Sequence, residues 1–190
     1  MSTTYFEDKT YRGENFAEKA LTKGEYEHCT FHHCVFSNGD LSQVKFMDCH
    51  FEDCDLSMAQ LKGTALNTVK FKNCKLVGLR FDDCNPLLLS LAFEDCRLDF
   101  SSFYQLKLKG TPFKHCKLEE VDFVEADLSH AVFSHCDLSR AVFEHTRLAY
   151  TDFRTSFHYS IDPEMNTLKK TKFSGNGLAG LLDKYDLIIE

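Results

Sequence analysis

Large apolar residues fall at every fifth position over most of this chain, and phenylalanine marks every fourth of them. The phenylalanine series is Phe31, Phe51, Phe71, Phe93, Phe113, Phe133, Phe153 and Phe173, in steps of twenty residues with one step of twenty-two. Between them stand Phe36, Leu41 and Phe46, then Leu56, Leu61 and Leu66, and later Leu98, Phe103 and Leu108. A period of five matches neither the helical repeat nor the alternation of a strand. Four fives make twenty, so the pattern predicts a chain that turns along four walls and returns above itself. Each phenylalanine then lies over the one a rung below.

A second series fixes the register. The nine cysteines lie two residues before a central Phe or Leu, except Cys84, which precedes Pro86. Six share one wall: Cys34, Cys54, Cys74, Cys96, Cys116 and Cys136. Elsewhere that place usually holds Ala, Val, Thr or Ser, as at Ala59, Thr64, Val69 and Ser101. Each unit therefore has one large and one small inward side chain, and its other three positions face water. Units this short cannot bury their apolar residues alone, and stacking buries them together.

The unit reads A/C-D-L/F-x-x, and the run Val121–His145, VDFVEADLSHAVFSHCDLSRAVFEH, repeats it five times. It resembles the pentapeptide-repeat family over roughly residues 14–175. The resemblance implies an all-β fold, a right-handed quadrilateral β-helix. Residues 1–13 are predicted to form an irregular N-terminal cap, because Lys9 and Glu14 occupy inward places. Residues 14–175 are the solenoid. A two-residue slip near 82–92 is placed around Cys84-Asn85-Pro86, since proline suits a bulge or corner. Leu88 is then expected inward, with Leu87 and Leu89 outward unless a local rearrangement buries them. From 176 to 190 the period changes. Leu178, Leu181, Leu182 and Tyr185 share a face of a predicted short C-terminal helix, followed by an extended tail of Leu187, Ile188 and Ile189.

The formal charge of −7 disfavours nonspecific nucleic-acid binding and suits basic protein partners. No apolar N-terminal stretch or membrane-length run is visible, and nine cysteines in packing places point to a reducing, cytoplasmic location.

Candidate chemistry is sparse. HCTFHHC (His28–Cys34) has the composition of a zinc cluster. The register turns Cys29 and Cys34 inward and His28, His32 and His33 outward, so they cannot meet at one tetrahedral centre. His115 and His135 stack outside, with no carboxylate or thiol expected in their column. No phosphate loop, nucleophile elbow or converging acid–base pair is present. The sequence predicts no enzyme, metal or cofactor.

Acidic residues remain. Asp99 and Glu119 share one outward column beside Glu120, and Asp122 and Glu125 lie on the next wall; a second group is Asp48, Glu52, Asp53 and Asp55. In length, repeat and C-terminal tail the chain is similar to the quinolone-resistance (Qnr) and MfpA group of the family. It lacks the long loops that interrupt many Qnr coils. That similarity implies an acidic rod about as wide as B-DNA, a homodimer through its C-terminus, that engages DNA gyrase or topoisomerase IV. Asp99, Glu119, Glu120, Asp122 and Glu125 are then the expected contacts, and Leu181, Leu182, Tyr185, Leu187 and Ile188 the expected dimer surface. The alternative is a protein-interaction scaffold with another partner and no topoisomerase activity. A continuous negative face favours the first reading, and a checkerboard favours the second.

Overall fold

Every fifth residue turns a corner. The computed structural model describes residues 4–188. From His28 to Lys170, the second residue after nearly every central Phe or Leu has positive φ, between 50° and 63° where it is not glycine. That left-handed conformation is steeply unfavourable for most L-residues and least so for Asn, Asp, His and Gly. The chain chooses accordingly, with Asn38, Asp48, Asp53, Asn73, Asp95 and Gly63 at corners. Seven histidines, including His28, His33, His115, His130 and His135, are corner residues too. Their abundance is a consequence of backbone geometry.

Four walls make one rung. Two carry named strands: β1 (Tyr5–Glu7), β3 (Glu25–Glu27), β5 (Lys45–Met47) and β7 (Ala65–Asn67) form one sheet. The other contains β2 (Thr10–Arg12), β4 (Thr30–His32), β6 (His50–Glu52), β8 (Val69–Lys72), β9 (Leu91–Glu94), β10 (Pro112–Lys114) and β11 (Val132–Ser134). The remaining walls are held by isolated bridges such as Arg97↔Lys117 and Ser102↔Asp122. All pairings are parallel, and Phe31↔Phe51, Phe71↔Phe93 and Phe113↔Phe133 pair as the spacing predicts.

The phenylalanine ladder forms the centre. Consecutive rings from Phe31 to Phe173 lie 4.7–5.6 Å apart and within 21° of parallel. A second stack on the opposite wall, Phe81, Phe103, Phe123 and Phe143, has centroids 4.6–5.3 Å apart. The two stacks meet edge to face, as at Phe103–Phe113, 6.0 Å and 87°. Both arrangements match the aromatic quadrupole.

Where it is Cys, Thr or Ser, the small inward residue fills space and also donates a hydrogen bond. Cys54 Sγ donates to the Phe31 carbonyl at 3.3 Å, and Cys74 Sγ to that of Phe51 at 3.4 Å. Thr64, Thr151 and Ser156 hydroxyls do the same toward Leu41, Leu128 and Phe133, at 2.8–2.9 Å. Each acceptor belongs to the preceding wall, one rung below. Buried carbonyls of this kind need a partner, which explains Cys, Thr and Ser in these places.

Two expectations are corrected. First, residues 4–13 form two regular walls of a rung. Tyr5↔Glu25 and Tyr11↔Phe31 are in register, Phe6 stacks on Tyr26 and Tyr11 on Phe31. Backbone pairing tolerates Lys9 and Glu14 because both side chains reach solvent at this end. Second, the slip follows Leu88. Asn85 still pairs with Ala65, Leu88 occupies a corner at φ 61°, and Val69 pairs with Leu91. The extra residues are Leu89 and Ser90. Leu87 and Leu88 are 72% and 70% exposed, whereas Leu89 packs against the core. Pro86 holds the central place but stays exposed, so Leu89 covers the rung from the corner. The short C-terminal helix is present and is wound as 3-10 helix, Gly175–Leu181 and Asp183–Tyr185. Gly177 and Gly180 lie so close to Tyr159 that a Cβ on either would collide with it, which fixes this tighter winding on the solenoid's end.

All nine cysteines are free and buried. Burial pushes the Cys49 thiol up to about 12 and raises Cys29, Cys34 and Cys84. Because all nine are buried, native protein should show almost no rapid reaction with a thiol reagent, and nine equivalents after denaturation; rapid native labelling of most would overturn the register. Phe113→Ala, in mid-ladder, should cost about 3–5 kcal/mol in chemical denaturation. Lys114→Ala, which removes only a surface pair to Glu94, should leave the denaturation midpoint nearly unchanged.

Candidate protein-interaction surfaces

The outward columns are mostly ladders of alternating charge. His32 lies 3.0 Å from Glu52, Lys72 3.6 Å from the same carboxylate, and Lys114 2.6 Å from Glu94. Asp53 has His33 at 3.7 Å and accepts from the Asn73 amide, and Asp55 has Lys75 at 3.9 Å. The N-terminal acidic group is thus largely matched by cations along the rod axis.

The C-terminal group divides. Asp99 is corrected: its side chain is only 5% exposed, held by Arg97 at 3.1 Å and by the Glu119 backbone N–H at 3.3 Å. It supports the wall and does not present a surface charge. Glu119 and Glu120 are both paired with Arg140, Glu120 at 2.8 Å. Asp122 folds into a local turn, accepting the Val124 N–H at 2.8 Å. Glu125 accepts from the Gln105 amide at 2.9 Å. Neither Asp122 nor Glu125 has an ion-pair partner among the described residues. The same is true of Glu144, which the sequence reading passed over. The Glu125 N–H donates to the Glu144 carbonyl at 2.8 Å, so Glu144 is one rung above on the same wall. The twenty-residue offset from Val124 was the available signal. Asp82 and Asp83 extend this wall downward with Arg80 at 2.6 and 3.7 Å.

At the C-terminal end, Lys184 ties the tail to the solenoid, 2.8 Å from Asp162 and 2.7 Å from Glu164. Its ammonium holds both carboxyls below their ordinary range. Leu181 is corrected as well: it packs against the core and belongs to the cap. Leu182, Tyr185, Leu187 and Ile188 are exposed, Ile188 at 91%. Together with Leu178 they form an apolar end. Ile189 lies outside the described residues.

His115 and His135 meet edge to face, with centroids 5.2 Å apart. A carboxylate does stand in their column, since Asp95 Oδ1 is 3.3 Å from His115 Nδ1. Even so, no three His, Cys, Asp or Glu side chains among the described residues are placed to hold a metal. Nor is any helix there long and apolar enough to cross a membrane.

Family models for the pentapeptide repeat region match residues 24–103 and 44–123, and models for eight-copy pentapeptide repeats match 107–144 and 122–156. Among solved structures, HetL of the cyanobacterium Nostoc, a pentapeptide repeat protein involved in heterocyst differentiation regulation, is 15% identical with a TM-score of 0.54, over 90% of this chain and 86% of HetL. Full-length QnrB1, a plasmid-mediated fluoroquinolone resistance protein, is 22% identical with a TM-score of 0.42, over 97% of this chain and 100% of QnrB1. A pentapeptide repeat protein from the Arabidopsis thaliana thylakoid lumen is 22% identical with a TM-score of 0.38, over 52% and 61%. No curated protein matches. The coil is the right-handed β-helix of such repeats, and with matches spanning residues 24–156 the chain belongs to the pentapeptide-repeat family.

Proposed function

We propose that this rod is a non-enzymatic, cytoplasmic protein-interaction module whose acidic wall engages a basic protein surface of the kind that normally holds DNA. The observation that carries this is the set Asp122, Glu125 and Glu144, carboxylates on adjacent rungs of one wall without cations of their own. Carboxylates repeated along a rigid rod can stand in for phosphates, and such charge matching steers association. The sequence similarity to the Qnr and MfpA group makes DNA gyrase or topoisomerase IV the first partner to test. Nine free buried thiols suit a reducing compartment.

The second reading, a scaffold for another partner, draws on the alternating ion-pair ladders, which leave the rest of the surface a checkerboard. Supercoiling by purified gyrase, with and without this protein and a fluoroquinolone, separates the two. Mimicry requires a change in supercoiling or drug sensitivity that fades as salt screens it. Asp122→Lys with Glu125→Lys should weaken binding about tenfold or more, and Glu119→Lys less, because Arg140 already offsets Glu119. Unchanged supercoiling at low salt in large protein excess would leave the scaffold reading.

The apolar end supports a homodimer joined through the C-terminus. Deleting residues 176–190 removes Leu182, Tyr185, Leu187 and Ile188 and uncovers the last rung, so light scattering should then show monomer or aggregate. Full-length protein that is monomeric at micromolar concentration would contradict the dimer.

A further inference from the structure

One corner column is interrupted. Between the walls that carry β7 and β8 the corner residues run Thr68, Leu88, Gly110, His130, Tyr150 and Lys170, all at positive φ. His130 and Tyr150 stack with centroids 4.8 Å apart and rings 5° from parallel, and the Lys170 ammonium lies 5.8 Å from the Tyr150 ring centroid. The other face of His130 looks down the column toward Gly110, where a Cβ would meet nothing within 4 Å. On the lower side the inserted pair Leu89–Ser90 lines the surface beside Gly110, and Leu88, 70% exposed, holds the corner before it. The ladder thus has an open place one rung high, with a flat ring above and the Leu88–Ser90 turn below. Rungs of paired strands lie about 4.8 Å apart, so a planar ring at the Gly110 level repeats the His130–Tyr150 spacing.

The surroundings are cationic. Gly110 borders a surface depression lined by Lys70, Lys107 and Lys109, with Leu89 and Ser90, the inserted pair, on its lower side. Lys70 comes from β8 on one wall, and Lys107 and Lys109 from the adjoining wall. None of the three makes an ion pair among the described residues. On the Lys107–Lys109 wall Asp127, whose backbone pairs with that of Lys107, has its carboxylate turned into its own loop by the Ser129 N–H at 3.0 Å. In a chain of net charge −7, three unpaired lysines beside one open stacking place form a local inversion of charge.

We propose that this corner binds a nucleotide. The base fills the missing step of the ladder, stacking on His130 above the Leu88–Ser90 turn, and the phosphates lie among Lys70, Lys107 and Lys109. Every base has a stackable face and lysines bind phosphate as point charges. The register slip gives the site its floor, because it places Leu88 at the corner and Leu89–Ser90 beside it. This inference is independent of the acidic wall, which lies across a different corner of the rod.

Calorimetric titration of the full chain with ATP at low salt tests it, with tripolyphosphate and a short oligo(dA) as comparison ligands. Saturable ATP binding, several-fold tighter than tripolyphosphate, is expected. Gly110→Tyr should reduce it at least about tenfold, a loss of about 1.4 kcal/mol, by completing the ladder from within. The corner accepts tyrosine, as Tyr150 shows at φ 61°, and an unchanged melting temperature checks the variant's fold. Lys107→Gln with Lys109→Gln should weaken binding and flatten its salt dependence. If oligo(dA) binds more tightly than ATP and Gly110→Tyr abolishes both, the nucleotide is recognised within a strand; if ATP binds at least as tightly, it is recognised free. No saturable ATP binding, equal binding by tripolyphosphate, or undiminished binding by Gly110→Tyr overturns the proposal.

Discussion

A chain that returns above itself every twenty residues must turn four times in that span, and the turning is done by residues held at positive φ. The conformation costs backbone energy at each corner. What offsets it is the stacking of each rung on the next, which buries two ladders of rings and a column of small donors. Neither side of that balance is available to a single rung. The rod is therefore stable only as a stack, with nearest-neighbour contacts that repeat along its length.

The surface obeys the same geometry. Any outward residue has its twenty-residue neighbours directly above and below, so a column's charge sequence decides whether a wall is neutral. Glu52 between His32 and Lys72 is a neutral ladder. Asp122, Glu125 and Glu144 form a group that the columns leave unmatched. Function on such a rod is written in the columns and depends little on residues adjacent in sequence.

The Phe and Cys series were legible from the sequence because inward places repeat with identical spacing and chemistry. The corners were not, since positive φ is a backbone property carried by residues as different as His130, Leu88 and Tyr150. Proline at 86 marks the slip at its own position in the sequence, whereas in the fold the corner at Leu88 keeps the register and Leu89 carries the change. Asp99 had the right column for a surface charge, but Arg97 and the Glu119 amide draw it down onto the wall. The apolar tail was visible, yet the division between Leu181, which seals the coil, and Leu182, which faces water, follows from how Gly177 and Gly180 seat the chain on Tyr159.

Lys9 and Glu14 have a consequence beyond their own rung. A coil of identical steps is a template, and a bare end of it offers backbone groups to any other copy. Two charged side chains in inward places put a desolvation penalty on any layer stacked there. At the opposite end the 3-10 turns cover the last rung. The molecule thus has polarity, like a screw with a different head at each tip. Neither tip therefore offers the bare repeat as a template to another copy.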